Sequence, residues 1–211
     1  LQGYLAQRPG TDFIESVTTE HVGWTIGGLD HERFTLRFPF SWRTQRRLFD
    51  AYVTLQRRIG FRRSIPNGIV PHLGSQWWCL RRRTIEAILQ FCRKRPDVMR
   101  FFRYSWIPDE TFFQTLVRHL VPEAEIDSRT LTFLMFSDYG MPVTFYNDHY
   151  DLLISQDYLF ARKISGDAAE LKVKLGDKVA EGSVIAVLEA EEAAGDSSAA
   201  GGGVAAGTPR S

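Results

Sequence analysis

Residues Gly74–Leu120 constrain this chain more than any other stretch. They open on the apolar block Gly74-Ser75-Gln76-Trp77-Trp78-Cys79-Leu80. Two adjacent tryptophans beside a glycine point to a flat apolar wall that a second backbone approaches closely. Neighbouring residues of an extended segment face opposite sides, so one indole can pack in the core while the other faces outward. Further on, Ile107-Pro108-Asp109-Glu110 reads as the start of a helix over Asp109–Leu120 that carries Phe112, Phe113 and Leu116 and is closed by Pro122. A Glu at a helix mouth either caps the helix or projects into a cleft as a general base. Neither signal names a function by itself.

The rest of the chain mixes strand and helix patterns, which predicts an α/β class. Phe13–Val17 and Phe34–Phe38 alternate as strands do, with Gly27-Gly28 and Pro39 as punctuation. Arg43–Ile59 reads as an amphipathic helix with Leu48, Tyr52, Leu55 and Ile59 on its apolar face. Ser75–Leu80 reads as a buried strand. Arg83–Arg95 reads as a helix whose Ile85, Ile88, Leu89 and Cys92 face the core, and Asp97–Tyr104 as a second short helix. Leu131–Phe136 and Val143–Tyr146 follow as strands around the turn Asp138-Tyr139-Gly140. Asp148–Gln156 then reads as a short helix, and Tyr158–Ile164 as a strand carrying Arg162 and Lys163.

After Gly166 the composition changes. Residues 1–168 read as one domain and 169–192 as a short β-hairpin with Gly-Asp and Glu-Gly turns. Residues 193–211 are dominated by Ala, Gly and Ser, too poor in large apolar side chains to bury a core, and are expected to be disordered. The first residue is Leu, and Leu1–Arg8 reads as the end of a helix, so the chain is expected to be part of a longer one.

The net charge of +1 hides an asymmetry. Residues 1–120 hold 19 Lys and Arg against 10 Asp and Glu, whereas residues 121–211 hold 7 against 15. The first part suits an anionic partner, or simply carries solvated helix faces. Arg81-Arg82-Arg83 and Arg93-Lys94-Arg95 are the densest basic runs, but they lack the interleaved aromatics of base stacking, so no nucleic-acid partner is expected. Cys79 and Cys92 sit in apolar contexts and read as buried thiols. His21, Asp30, His31 and Glu32 match no metal-ligand spacing. No signal peptide opens the chain, and no apolar run approaches the roughly 20 residues of a membrane span.

Taken as a set, several motifs resemble the family of branching β-1,6-N-acetylglucosaminyltransferases and protein O-xylosyltransferases in its bacterial-type form. They are GSQWWCL at Gly74–Leu80, WIPDETFFQTL at Trp106–Leu116, LTF at Leu131–Phe133 and LFARKI at Leu159–Ile164, with PGTDFIE at Pro9–Glu15 and RFPFSWR at Arg37–Arg43. The likeness covers residues 1–168. It implies the C-terminal portion of a GT-A-like domain and an inverting transfer of N-acetylglucosamine or xylose from a UDP-sugar to a glycan or protein hydroxyl. It implies Glu110 as the general base. It also implies that basic side chains, here Arg162 and Lys163, meet the diphosphate without a metal ion; the chain contains no Asp-x-Asp. Trp77 and Trp78 would wall the sugar sites and Asp109 would orient the helix or touch acceptor. Asp148 is a further candidate from its loop position. No cofactor beyond the sugar donor is implied.

The sequence departs from that family twice. The half that carries most of the uridine-binding βαβ units is not in the chain, so this portion alone is expected to be inactive or incomplete. Leu171–Glu191 and the tail after it instead resemble the second half of a lipoyl domain with its linker. The Asp-Lys-Ala carrier hairpin is missing there; upstream stands only Lys163, between Arg162 and Ile164. A non-catalytic fragment or a lipoyl-type carrier module is therefore the alternative reading. The family resemblance implies a cytoplasmic or peripheral membrane location for a bacterial protein, with the Golgi lumen as the site of eukaryotic relatives, and membrane association only through regions outside this chain.

Overall fold

The computed structural model describes residues 1–19, 31–171 and 186–187. It is a mixed α and β structure with small sheets. Helices α1 (Gln2–Ala6), α2 (Glu32–Thr35), α3 (Arg46–Arg58), α4 (Arg82–Lys94), α5 (Pro96–Arg103), α6 (Phe112–Leu120) and α7 (Tyr150–Ile154) are interleaved with short strands. These are β1 (Asp12–Phe13), β2 (Val17–Thr18), β3 (His72–Leu73), β4 (Ile126–Asp127), β5 (Thr132–Leu134), β6 (Phe160–Arg162) and β7 (Ala186–Val187). β1 lies parallel to β4, pairing Asp12 with Ile126, and β2 lies antiparallel to β3, pairing Val17 with Leu73. β5, β6 and β7 form a parallel sheet in that order.

The main core gathers Ile14, Phe34, Leu73, Ile88, Val98, Phe102, Leu116 and Val117, so β-segments and α4, α5 and α6 bury one common face. Proline sets the break between α4 and α5. Pro96 has no N–H to continue α4 but fits the first position of α5, where Asp97 adds a negative charge to the first turn. A second cluster holds Phe145, Leu153, Ala161, Ala168 and Leu171, and its packing runs without a break across residue 168. A third joins Leu36 and Phe38 to Phe49 and Val53 of α3.

Several sequence expectations change. Phe34–Phe38 is not a strand: Glu32–Thr35 is helical, Leu36 turns to an extended backbone, and the residues after it pair with no strand among the described residues. The Gln56 side chain replaces the ladder, accepting from Arg37 N at 2.8 Å and donating to Arg37 O at 2.9 Å. That use of Gln56 also fixes the rotation of α3. Phe49, Val53 and Gln56 face inward, while Leu48, Leu55 and Ile59, expected in the core, are 52%, 51% and 67% exposed. In α4, Ile88 is buried but Leu89, one residue and about 100° further round, is half exposed. Ser75–Leu80 bends at Gln76 and, among the described residues, makes only an isolated antiparallel bridge, Cys79 to Phe13, and the strand proper is His72–Leu73. Val143–Tyr146 likewise contributes a single bridge, Phe145 to Ile164. The expected hairpin and tail, like Gly27-Gly28, His21 and Asp30, lie outside the described residues, apart from 169–171 and β7.

Asp12 anchors the β1 end of the core. It is fully buried and accepts Arg81 Nη2 at 2.8 Å, Arg81 N at 2.7 Å and Thr84 Oγ1 at 2.6 Å. Burial pushes its carboxyl up, but the Arg81 and Thr84 hydrogen bonds and the guanidinium charge outweigh burial and hold it below its ordinary 3.8. Its stabilising effect is therefore present above pH 3.8 and is lost as pH falls through the lowered folded value. Arg81→Met, which strands the buried carboxylate, is expected to cost about 3–5 kcal/mol at pH 7 in urea unfolding, with a smaller loss at pH 3. An equal loss at both pH values would show that ionisation of Asp12 is not involved.

Candidate functional site

Gly74 is the point from which the site is built. A Cβ placed there would sit 1.7 Å from the Glu15 carbonyl oxygen and 2.9 Å from Gln114 Cγ. The close backbone approach read from the Gly-Trp-Trp block is thus with Glu15. On the other side, Gly74 N donates to the Glu110 carbonyl at 3.0 Å. Gln114, fully buried on α6, donates to the carbonyl of Ser75 at 2.7 Å and reaches those of Gly74 and Asp109 at 3.4 Å. Two glutamates from distant parts of the chain, Glu15 and Glu110, are held on either side of one glycine. Gly74→Ala is expected to lose about 3 kcal/mol or more of stability, because backbone cannot yield to the added methyl. Denaturant titration checks this, and a loss below 1 kcal/mol would mean that the crossing is loose.

Above the crossing lies a cleft of about 840 Å³. Glu15, Trp77, Glu110 and Arg162 line it, with Thr132, Ser137, Asp138 and Tyr158 on the wall contributed by β5 and the loops beside β6. The Arg162 guanidinium lies over the Trp77 ring at 4.7 Å from the centroid, so the cation and the indole form one unit. This seats a positive charge in the cleft beside an aromatic surface.

Glu110 does not stand in the first turn of α6. It ends a separate 3₁₀ turn, Pro108–Glu110, and Thr111 comes before α6 begins at Phe112. The dipole of α6 is therefore not what holds it. Ile107 enters this turn with φ 48° and ψ 65°, a left-handed conformation that a β-branched residue adopts at a cost of about 1–3 kcal/mol. The Glu110 Oε2 accepts Arg33 Nη1 at 3.2 Å; Arg33 is fully buried, whereas the Glu110 side chain keeps 31% exposure. Arg33 also lies 5.3 Å from the Trp106 ring centroid. A carboxylate gripped from behind and open in front can still receive a proton from a ligand in the cleft.

Glu15 is the second carboxylate of the cleft. Its Oε2 accepts Ser75 N at 3.3 Å. Burial pushes its carboxyl above the ordinary 4.5, and the Ser75 N–H opposes that shift only in part. A proton is held more tightly in the folded chain. The resulting stabilisation is complete below pH 4.5 and is lost as pH rises through the raised folded value. Glu15→Gln, which keeps the acceptor for Ser75 and removes the charge, is expected to gain stability on the parent chain between pH 4 and pH 7.5. The difference in urea midpoint at the two pH values tests this, and a constant difference contradicts it.

Of the residues singled out in the sequence, Trp77, Glu110 and Arg162 meet in the cleft. Trp78 faces the other way and packs on Phe113 at 4.5 Å within the main core. Asp109 and Lys163 are exposed and do not line the cleft, and Asp148 is exposed beside His149, 3.0 Å from its Nδ1. Arg33 and Glu15 were missed. Glu15 lies inside the Pro9–Glu15 motif, but nothing in its neighbours signals that a chain crossing at Gly74 will bury it. Arg33 stands just before the Phe34–Phe38 segment that read as a strand, and no motif there marked it as buried. Cys79 and Cys92 are free and half-buried, and burial pushes both thiols up. Among the described residues no group of three or more His, Cys, Asp or Glu is placed to hold a metal, and no helix is long and apolar enough to cross a membrane. The chain matches no protein-family model, and comparison with curated proteins finds no match.

Proposed function

We propose that residues 1–168 form the acceptor-side portion of a GT-A-like glycosyltransferase domain. It moves N-acetylglucosamine or xylose from a UDP-sugar to an acceptor hydroxyl with inversion and without a metal ion. The observation that carries this reading is the meeting of Glu110, Trp77 and Arg162 in one cleft of about 840 Å³. Glu110 takes the proton of the acceptor hydroxyl, and that oxygen forms the new bond to the anomeric carbon. The bond from this carbon to the diphosphate oxygen breaks on the far side, and UDP leaves with the electron pair. Arg162 meets the negative charge that develops on the leaving group, and its seat on Trp77 limits the positions its planar fork can take. Trp77 also offers aromatic surface to a pyranose ring. Lys163, next in the chain, adds charge at longer range, and Asp109 stands on the same turn as the base for acceptor contact. Arg33 fixes the direction of the Glu110 carboxylate and touches no substrate.

Sugar transfer by the full-length protein in EDTA, with UDP-N-acetylglucosamine and UDP-xylose offered in turn, tests the reading. Glu110→Gln is expected to lower turnover by about 100-fold or more while leaving UDP affinity unchanged. Turnover that survives the substitution would reduce Glu110 to a structural partner of Arg33.

A further inference from the structure

A second cleft, of about 700 Å³, lies where the loop 61–66 meets α5. Four arginines line it, Arg37, Arg62, Arg63 and Arg100, against one carboxylate, Asp97. That carboxylate is already committed, accepting Arg95 Nε at 2.9 Å and Nη2 at 2.7 Å. Among the described residues none of the four arginines has an ion-pair partner within 4.0 Å. Glu32 is within electrostatic reach of Arg62, but it is bound by Arg57.

Arg63 is the fixed member of the group. Its Nε donates to Phe34 O at 2.8 Å and its Nη1 to Phe101 O at 2.6 Å. Its Nη2 donates to Arg33 O at 2.9 Å and to Ser105 Oγ at 2.8 Å. The guanidinium lies 4.0 Å from the Phe101 ring centroid. These acceptors are all neutral, so they hold the cation in place without cancelling its charge. Burial, with the neighbouring charge of Arg37, pushes its pKa down to about 10. A desolvated cation beside a second one carries an electrostatic cost that an anion in the cleft removes.

Arg37, Arg62 and Arg100 are exposed at the rim. Arg62 gives one N–H to Phe61 O at 2.9 Å, and the Arg37 guanidinium lies 5.8 Å from the Phe61 ring. Among the described residues their other side-chain N–H groups have no hydrogen-bond partner, and they can close on oxygens in the paired geometry that guanidinium and phosphate share. Phe61 and the half-exposed Tyr104 add an apolar edge for whatever carries the charged group.

We infer that this cleft binds a phosphate group, with Arg63 as the fixed positive floor and Arg37, Arg62 and Arg100 as the rim that grips the oxygens. The site shares no lining residue with the Glu110 cleft and does not depend on the transfer chemistry proposed above. A soluble phosphate compound and a phospholipid headgroup present the same chemistry to it.

The test uses the chain carrying Arg162→Ala, so that diphosphate binding in the Glu110 cleft does not contribute. Inorganic pyrophosphate is titrated calorimetrically. In parallel the chain is sedimented with phosphatidylcholine vesicles with and without phosphatidic acid. Saturable one-to-one binding is expected that weakens with added salt and falls about tenfold or more when Arg37→Ala and Arg100→Ala are combined. Pyrophosphate binding without vesicle binding assigns a soluble phosphate. Vesicle binding that needs phosphatidic acid and is lost in the double variant assigns a headgroup. Both replaced side chains are exposed, and a thermal melt confirms that the variant is folded. No binding in either arm, or binding that the folded double variant retains, overturns the assignment.

Discussion

Gly74 is where three separate pieces of chain meet with no space for a side chain. Its Cα face abuts the Glu15 carbonyl, its N–H is taken by the Glu110 carbonyl, and its own carbonyl lies within reach of Gln114. The strands that surround this crossing are two or three residues long and contribute few ladder hydrogen bonds. Side chains take the place of missing strands: Gln114 holds the loop at Gly74 and Ser75 beside the cleft, and Gln56 holds the segment at Arg37. Buried amides of this kind satisfy backbone groups that a longer sheet would pair: Gln56 binds both the N–H and the carbonyl of Arg37, and Gln114 donates through Nε2 to main-chain carbonyls while its Oε1 has no partner among the described residues. The cleft exists because the crossing holds the Glu15 segment, the tryptophan block and the Glu110 turn in fixed relation.

Charge is used in three different ways around that frame. The Asp12–Arg81 pair is largely buried and held by both a side-chain and a main-chain hydrogen bond, so it joins β1 to the start of α4. Arg33 and Glu110 are also paired, but one partner is sealed and the other stays open to the cleft, which leaves a carboxylate positioned for chemistry. Arg63 has neutral acceptors only, so its charge remains directed at the space in front of it. The excess of basic residues in the first part of the chain is therefore divided. Arg81, Arg83 and Arg95 are tied into ion pairs, while Arg37, Arg62 and Arg100 are gathered around an open cleft.

The readable parts of this fold were those set by short-range rules. Pro96 divides two helices because a proline lacks the donor that the first needs and fits the opening turn of the second. The Asp138-Tyr139-Gly140 turn is closed by a glycine at φ 73°. The tryptophan pair does divide between core and cleft, although the segment that carries it is not a strand. What could not be read were choices made between two apolar faces. In α3 the stripe Leu48, Leu55, Ile59 and the stripe Phe49, Val53 are both hydrophobic. The second was buried because its aromatic ring stacks on Phe38 and its Gln56 neighbour satisfies the Arg37 backbone.

The sequence alone determined most of the succession of helices and extended segments and the need for a close backbone approach at Gly74, because these rest on local geometry; Trp77, Glu110 and Arg162, which meet in the main cleft, were singled out through the family resemblance of their motifs. The tertiary structure decided which face of α3 turns inward, that Glu110 sits on a strained 3₁₀ turn rather than on α6, and that Glu15 and Arg33 stand beside it. Those outcomes depend on contacts between segments tens of residues apart, and burial of a charged group is set by the neighbours that surround it, not by the residues adjacent to it in the chain.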